Sequence, residues 1–417
     1  MKRSSAGLAS RVLDRATQPP VLTLFAVLNL VVSLTIAVNH LRSVQGVLGE
    51  DGSIVTGDFM AFYTGATFVR EGDGRELYDL TSQYRFQMEL AGPPNTNWQP
   101  YVNPPLLAVA LAPLSALPYR YAYMGFAALT LLAFVGAILL LKPELPALTR
   151  DRLTWLTALL LTASWLPLFR VMVGGQNTML TLLLLTGIYV AWRGGRLVLA
   201  GVFLGLLTYK PQFALLLGLV FVARGMKVAL AAAGVTAGAH YVLGAVFAGP
   251  DWPLTMLRSL RGYRLIEEEN VSTHFSLLPT LSHSLPEPAA WLLAGVAITA
   301  VIVVVVRFAR QIEPGDADFP LLYGLVVTGG MLVSPHLQHY EVAILALPVL
   351  LCLESLLEEG RVPGVPARLL LAAGFVLYPA YRLGDTIGFQ PLFLWLIAVF
   401  LWDWALLRRA GPISVPD

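Results

Sequence analysis

VLTLFAVLNLVVSLTIAV, residues 21–38, is a run of 18 residues without a charged side chain. As an α-helix it would be about 27 Å long at ~1.5 Å per residue, close to the ~30 Å hydrocarbon thickness of a bilayer. Similar apolar runs recur along the chain of 417 residues, of which 56% are hydrophobic and only 13% charged. The sequence therefore predicts an all-α integral membrane protein that crosses the bilayer many times.

The apolar runs predict about 12 transmembrane helices in a single polytopic domain, residues 21–409. Cytoplasmic tails are expected at 1–20 and 410–417. Basic residues before the first run favour a retained first helix with a cytoplasmic N-terminus. The helices are expected at 21–38, 121–141, 153–170, 177–194, 197–209, 211–224, 228–248, 289–306, 319–334, 340–357, 366–381 and 391–407.

Lysine and arginine occur in every second loop, which predicts that those loops are cytoplasmic. The intervening loops, including 39–118 and 249–288, are then extracytoplasmic. The segment PPLLAVALAPLSALP, residues 104–118, carries prolines at both ends and at Pro113. We interpret it as a half-buried or re-entrant helix within the first outer loop. The alternative, a tilted span, would reverse the orientation of the next several helices.

The composition excludes some classes of protein and site. A net charge of +2 gives no reason to expect a nucleic-acid partner. The single cysteine, Cys352, lies in an apolar run and cannot form a disulfide framework or a thiolate metal site.

The first outer loop contains GDFMAFYTGATFVREGDGRELYD, residues 57–79, with Asp58 near its start. Phe59, Phe62, Tyr63 and Phe68 follow at helical spacing, which predicts an amphipathic helix on the membrane surface, in a large outer loop that contains short surface helices. A carboxylate there can act as a general base where a dissolved acceptor meets a lipid-borne substrate. The alternative is that Asp58 only caps the helix.

Two further motifs place polar groups beside breaks in apolar runs. In RVMVGGQNTML, residues 170–180, Gln176 and Asn177 follow a Gly-Gly pair and can bind sugar hydroxyls, or they can form a capping turn. In TYKPQFALL, residues 208–216, Lys210 and Gln212 lie between two short apolar segments. A lipid phosphate is the natural counter-charge for Lys210, and a lysine that snorkels to the interface is the alternative.

The motif SPHLQHYE, residues 334–341, places His336 and His339 three residues apart. No third ligand is close in sequence, so a metal site is not expected. The two imidazoles can hydrogen-bond to a phosphate or a sugar, or they can belong to a plain interfacial loop.

Five segments, in this order, resemble family 87 of the GT-C membrane glycosyltransferases, the polyprenyl-phosphate-mannose-dependent alpha-1,2-mannosyltransferases. The resemblance covers about residues 20–357. The segments are GDFMAFYTGATFVREGDGRELYD, YVNPPLLAVALAPLSALP, GGQNTMLTLLLL, LAGVFLGLLTYKPQFALLL and SPHLQHYEVAILALP. The family's Tyr-Pro-Pro element is altered here to Tyr101-Val102-Asn103-Pro104-Pro105.

The resemblance implies a GT-C fold and a hexosyltransferase, most simply a mannosyltransferase, in which Asp58 is the catalytic base of an inverting single displacement. The sugar passes from a polyprenyl-phosphate donor to a lipid or glycan acceptor at the extracytoplasmic face of the bacterial cytoplasmic membrane. No metal or other cofactor is expected. The protein is expected to be a monomer that contacts membrane lipids in addition to its donor and acceptor. The candidate donor-binding residues are Lys210, His336, His339, Gln176, Asn177, Arg170 and Gln212. The candidate acceptor or loop contacts are Tyr63, Tyr101, Asn103 and Trp98.

A transporter or flippase for a lipid-linked or small polar substrate is the alternative, because many helices with a few polar interruptions also fit one. The two halves of the chain show no internal repeat, and the acidic first outer loop is unusual for a transporter.

Overall fold

The computed structural model describes residues 16–44, 46–48, 54–92, 98–266, 274–360, 365–382, 386 and 390–409. Within these ranges the chain is helical, and its only β-type pairings are two isolated bridges. The α-helices, numbered α1 to α19 in chain order, are Pro19–Ser43, Phe59–Glu71, Leu80–Ala91, Pro105–Leu111, Tyr119–Leu141, Pro146–Arg150, Arg152–Ser164, Leu166–Val173, Thr178–Arg193, Leu197–Leu206, Pro211–Ala223, Lys227–Ala248, Trp252–Ile266, Leu277–Ser284, Glu287–Ala309, Phe319–Val333, Ala346–Glu358, Val365–Leu377 and Pro391–Arg409.

Six helical segments among the described residues are long and apolar enough to cross a membrane. They are α1, α5, α12, α15, α19 and the segment His339–Glu358, which contains α17. A seventh span results if the bent pair α7 and α8 counts as one. The prediction of an all-α membrane protein is confirmed, whereas the count of about twelve spans is not. The other predicted spans form shorter apolar helices, among which α9 and α16 are buried on nearly every face.

Two predicted helices are interrupted. The expected helix 153–170 is bent by 44° between Ser164 and Leu166. Pro167, the second residue of α8, explains the break, since proline has no amide hydrogen and its ring clashes with the carbonyl four residues earlier. The expected helix 340–357 begins as a 3-10 helix, His339–Leu345, before α17.

The predicted break at Lys210-Pro211 is present. A 3-10 turn, Leu207–Tyr209, ends α10, and Pro211 is the first residue of α11. Proline suits the first turn of a helix and disfavours helical backbone in the residue before it. Lys210 accordingly has non-helical backbone, with φ −126° and ψ 78°, and lies at the junction of the two helices.

Basic residues lie at the ends of α9, α10 and α11 that are opposite Asn177 and Lys210. Helix α9 begins after Asn177 and ends at Arg193, and α11 begins after Lys210 and ends before Arg224. Arg196 directly precedes α10, which leads back to Lys210. The polar motifs and the arginines are therefore separated by the length of these helices.

Helix α2 is buried in protein, which differs from the membrane-surface helix that its aromatic pattern predicts. Phe59 is 2% exposed, and its ring packs against Tyr119, Tyr123 and Phe126 of α5. The aromatic side chains of α2 thus anchor this segment to the bundle. Helix α4, in the segment read as half-buried or re-entrant, has 7 residues. It is about 10 Å long at ~1.5 Å per residue and too short to cross a bilayer.

Candidate active site

The loops that carry Asp58 and Gln176 interlock through glycines with left-handed backbone. Gly57 has φ +55° and Gly175 has φ +61°, values that a residue with a Cβ rarely adopts. A Cβ on Gly57 would lie 2.6 Å from the carbonyl oxygen of Gly174, and one on Gly175 would lie 2.5 Å from the carbonyl oxygen of Thr56. The two segments approach this closely because neither glycine has a side chain, and their contact places Asp58 beside Gln176.

Asp58 is the residue before α2, yet its side chain makes no capping hydrogen bond to that helix. The carboxylate instead accepts a hydrogen bond from the Gln176 side chain and a long one, 3.5 Å, from the Tyr340 hydroxyl. Burial raises the pKa of Asp58, while the Gln176 hydrogen bond, the Lys210 charge and the Tyr340 hydrogen bond act in the opposite direction. The capping alternative is therefore not supported, and the carboxylate is available at the border of a cavity.

That cavity has a volume of about 490 Å³ and is lined by motifs between Asp58 and Glu341. Asp58 borders it together with the predicted site residues Asn103, Gln176, Asn177, Lys210, Gln212 and His336. The sequence motifs thus converge on one site, as a single functional centre requires.

Lys210 forms a buried ion pair with Glu341. The Lys210 Nζ lies 2.9 Å from the Glu341 Oε1, and the two residues are only 7% and 2% exposed. Lys210 does not snorkel, and both members of the pair border the cavity. Sequence analysis missed Glu341, although it stands in SPHLQHYE as a carboxylate at the start of an apolar run. The pairing joins residues 131 positions apart and has no local signal.

The side-chain amide of Asn177 is buried and has no hydrogen-bond partner among the described residues. The residue is 4% exposed, and neither its side-chain nitrogen nor its side-chain oxygen has a hydrogen-bond partner. It precedes α9 without capping it through its side chain. An unpaired buried amide is unfavourable, so a ligand in the cavity that both donates and accepts would stabilise it.

The two predicted histidines lie in different surroundings. His336 borders the cavity, and its Nδ1 lies 2.8 Å from the Nε2 of His274, which the sequence motifs did not single out. His339 does not border the cavity. Its ring stacks on Tyr381 with centroids 4.3 Å apart and an angle of 5° between the planes.

Four other predicted site residues also lie away from the cavity lining, and their expected binding roles stay predictions. Arg170 donates to the Tyr381 hydroxyl at 3.4 Å, and the Tyr63 hydroxyl donates to the Leu117 carbonyl at 3.1 Å. Trp98 packs edge-on against Tyr84. The buried Tyr101 donates to the Pro104 carbonyl at 2.6 Å. Tyr101 thereby supports a loop whose neighbouring residues Val102, Asn103 and Pro104 do border the cavity.

No group of three or more His, Cys, Asp or Glu side chains suited to a metal ion occurs in the part of the chain that the structure describes. The expectation that no metal is needed remains a prediction.

A cavity bordered by carboxylate, amide, ammonium and imidazole side chains can bind a polar substrate. The sequence model of glycosyltransferase family 87 matches residues 101–335, more than half of the chain. This protein therefore belongs to glycosyltransferase family 87 and is a membrane glycosyltransferase. No curated protein and no solved structure matches the chain. The matched range includes Asn177 and Lys210, whereas Asp58 and Glu341 lie outside it. Neither the structure nor the family match favours the transporter alternative.

Proposed function

We propose that this glycosyltransferase transfers a hexose from a polyprenyl-phosphate donor to a lipid or glycan acceptor, with Asp58 as the base. Mannose is the sugar that the family resemblance implies. The observation that carries the proposal is the Asp58 carboxylate at the border of the 490 Å³ cavity, free of any capping role and in the same cavity lining as the Lys210–Glu341 pair.

The lining of the cavity suits a sugar. Six amide side chains border it, and amides both donate to and accept from hydroxyl groups. They are Gln99, Asn103, Gln176, Asn177, Gln212 and Gln338.

One side of the cavity suits the lipid chain of the donor. Leu215 of α11 and Met256 and Leu260 of α13 border it. Leu215 is 68% exposed, so this border continues onto an apolar outer surface of the bundle. A polyprenyl chain can lie on that surface while its phosphate reaches Lys210.

The reaction is a single displacement. Asp58 accepts the proton of the acceptor hydroxyl as that oxygen attacks the anomeric carbon, and the bond from this carbon to the phosphate oxygen breaks. The products are the glycosylated acceptor, with inverted anomeric configuration, and the polyprenyl monophosphate. Negative charge grows on the leaving phosphate, so the Lys210 ammonium and the His336 imidazole, as hydrogen-bond donors, lower the barrier.

The proposed orientation places the cavity outside the cell. The helix ends opposite Asn177 and Lys210 carry Arg193, Arg196 and Arg224, and basic ends face the cytoplasm. Both termini are then cytoplasmic, in a bacterial inner membrane. A cysteine at the exposed Thr81, in a Cys352→Ser background, should react with an impermeant thiol reagent on intact cells. Reaction only after lysis would reverse this orientation.

The test of the function is sugar transfer by purified protein in detergent. Polyprenyl-phosphate-mannose is supplied with a lipid extract as acceptor, and the glucose and arabinose donors are compared. Transfer is expected from the native protein and from the Asp73→Asn control, and not from Asp58→Asn. Transfer that is independent of Asp58 would remove the proposed base, and no transfer from any polyprenyl-phosphate donor would remove the proposed donor class.

A further inference from the structure

The cavity contains two carboxylates and one ammonium. Asp58 and Glu341 both border it, and Lys210 is the only lysine or arginine among the described residues that do so. The ammonium forms its ion pair with Glu341 at 2.9 Å and none with Asp58. Glu341, to which the sequence analysis gave no role, is thus the carboxylate that pairs with the Lys210 ammonium.

Both oxygens of the Glu341 carboxylate are held. Oε1 binds the Lys210 ammonium. Oε2 accepts a hydrogen bond of 3.1 Å from the backbone amide of Gln338, the residue before the 3-10 helix His339–Leu345. The pair is buried, where charges interact more strongly than in water. The position of the ammonium is therefore fixed by a carboxylate that is itself anchored to the backbone.

We propose that Glu341 is a positioning residue for sugar transfer, which holds the Lys210 ammonium on the α11 side of the cavity and keeps it from pairing with Asp58. This inference rests on the proposed role of Asp58 as the base. The ammonium stays directed at the place of the leaving phosphate, and Asp58 remains able to accept the acceptor's proton. A cation free to pair with Asp58 would make that carboxylate a weaker base.

The charges around Asp58 act in the directions this arrangement requires. Lys210 lowers the pKa of Asp58 and Glu341 raises it, while the Tyr340 hydrogen bond lowers it. The other titratable side chains near the cavity and around α2 include Tyr209, Tyr263, His336 with its neighbour His274, Tyr63, Tyr101, Tyr119 and Tyr123, and the pair Arg70–Glu71 at the C-terminal end of α2.

The experiment is the pH profile of transfer in variants that alter one charge at a time. Glu341→Gln keeps a side-chain oxygen that can accept from the backbone amide of Gln338, but it removes the charge that holds Lys210. We expect the acid limb of the kcat profile to move to lower pH, and kcat at its plateau to fall by about tenfold or more because the ammonium is misplaced. Lys210→Met should move the acid limb in the opposite direction, to higher pH. General damage to the fold would not produce opposed shifts.

The matched control is Glu354→Gln. Glu354 is also a buried carboxylate that accepts from backbone amides, those of Ala147 and Leu148, but it does not border the cavity. The acid limb of transfer by Glu354→Gln should lie at the same pH as that of the native protein. Because His336 shares the cavity, the protonation of Asp58 is also followed directly, as the infrared carboxyl band that disappears in Asp58→Asn. This band should titrate at lower pH in Glu341→Gln and at higher pH in Lys210→Met.

An acid limb and an infrared band that do not move in Glu341→Gln, or that move to higher pH, would overturn the positioning role. If Glu341→Gln is not recovered folded, Glu341→Asp decides, because it keeps the negative charge but shortens the side chain by one methylene and so loosens the hold on Lys210. Its acid limb should lie below that of the native protein, and an unmoved limb with native kcat would overturn the proposal. Full transfer by Asp58→Asn would instead show that the proposed base is wrong.

Discussion

The backbone amide of Asp58 donates a hydrogen bond of 3.1 Å to the carbonyl oxygen of Gly174. This bond joins two loops that are more than a hundred residues apart in sequence. It places the proposed base beside the Gly-Gln-Asn motif, so the geometry of the site depends on glycines that do not border the cavity.

Gly175→Ala should therefore disrupt both the fold of the site and its activity. Its Cβ would lie 2.5 Å from the Phe59 Cβ and from the Thr56 carbonyl oxygen, in addition to the strain of φ +61°. Strained backbone alone costs ~1–3 kcal/mol, and the clash adds to that. Thermal unfolding and transfer are measured beside Gly225→Ala, where φ is +64° but no atom lies within 4 Å of a Cβ. Equal losses in the two variants would show that strain, and not the contact of the loops, explains the effect.

Asp58→Asn should lose activity and gain stability. A positioned base contributes about 10²- to 10⁴-fold to the rate, so transfer should fall by at least that order. Burial raises the pKa of Asp58 in the folded protein. The folded state thus binds this proton more tightly than the unfolded state, and its stability falls as the pH rises from the ordinary pKa through the raised one. The amide removes that cost at neutral pH, and the melting temperature should rise. A variant that is inactive but less stable than the native protein would indicate a structural role.

The pH dependence of transfer should have an acid limb set by Asp58. The base acts in its deprotonated form, so kcat/KM should fall as the pH drops through a pKa that lies above the ordinary value for aspartate. The measurement is initial rate against pH at low substrate concentration. The residual activity of Asp58→Asn should lack this limb, and an unchanged limb in that variant would assign it to another group.

Part of this arrangement could be predicted from sequence because its signals are local. Apolar runs without charge identified the membrane class, and the Lys210-Pro211 pair identified a helix junction, since proline determines the backbone on both sides of itself. Asp58 was identified as a carboxylate in an apolar aromatic segment. The bend near Trp165 was missed although Pro167 stands in the sequence, because the unbroken apolar run favoured a single helix.

The rest depends on contacts between distant segments. Nothing near Glu341 in sequence indicates that Lys210 is its partner, and nothing near Gly57 indicates that Gly174 lies against it. The same holds for His336 and His339, which are three residues apart but point to different surroundings. A 3-10 helix that begins at His339 separates the two, whereas the sequence predicted only a helix over 340–357.

Lys210→Ala should weaken binding of the donor. A charge-assisted hydrogen bond to the phosphate is worth ~1.5–3 kcal/mol, which corresponds to roughly 10- to 150-fold in affinity. Binding is measured with a short-chain polyprenyl-phosphate-sugar, and melting temperature is recorded because the variant leaves Glu341 unpaired. Lys227→Ala, at the opposite end of the helices, is the control. Unchanged donor affinity in a folded Lys210→Ala protein would leave the ion pair with Glu341 as the only role of Lys210.

Asn177→Leu should weaken binding of the sugar donor without a loss of stability. Neither polar atom of the Asn177 side chain has a partner in the described protein, so an apolar side chain of similar size removes no hydrogen bond from the fold. The melting temperature should hold or rise, while KM for the sugar donor should increase, because the amide is lost as a donor and acceptor for hydroxyl groups. Gln83→Leu provides the contrast, since the Gln83 side chain donates to the Leu77 carbonyl and accepts from the Tyr101 amide. That variant should unfold at lower temperature. Each buried group left unpaired should reduce the free energy of unfolding by ~1–3 kcal/mol. If Asn177→Leu destabilises the protein as much as Gln83→Leu and leaves KM unchanged, Asn177 supports the fold and does not bind the sugar.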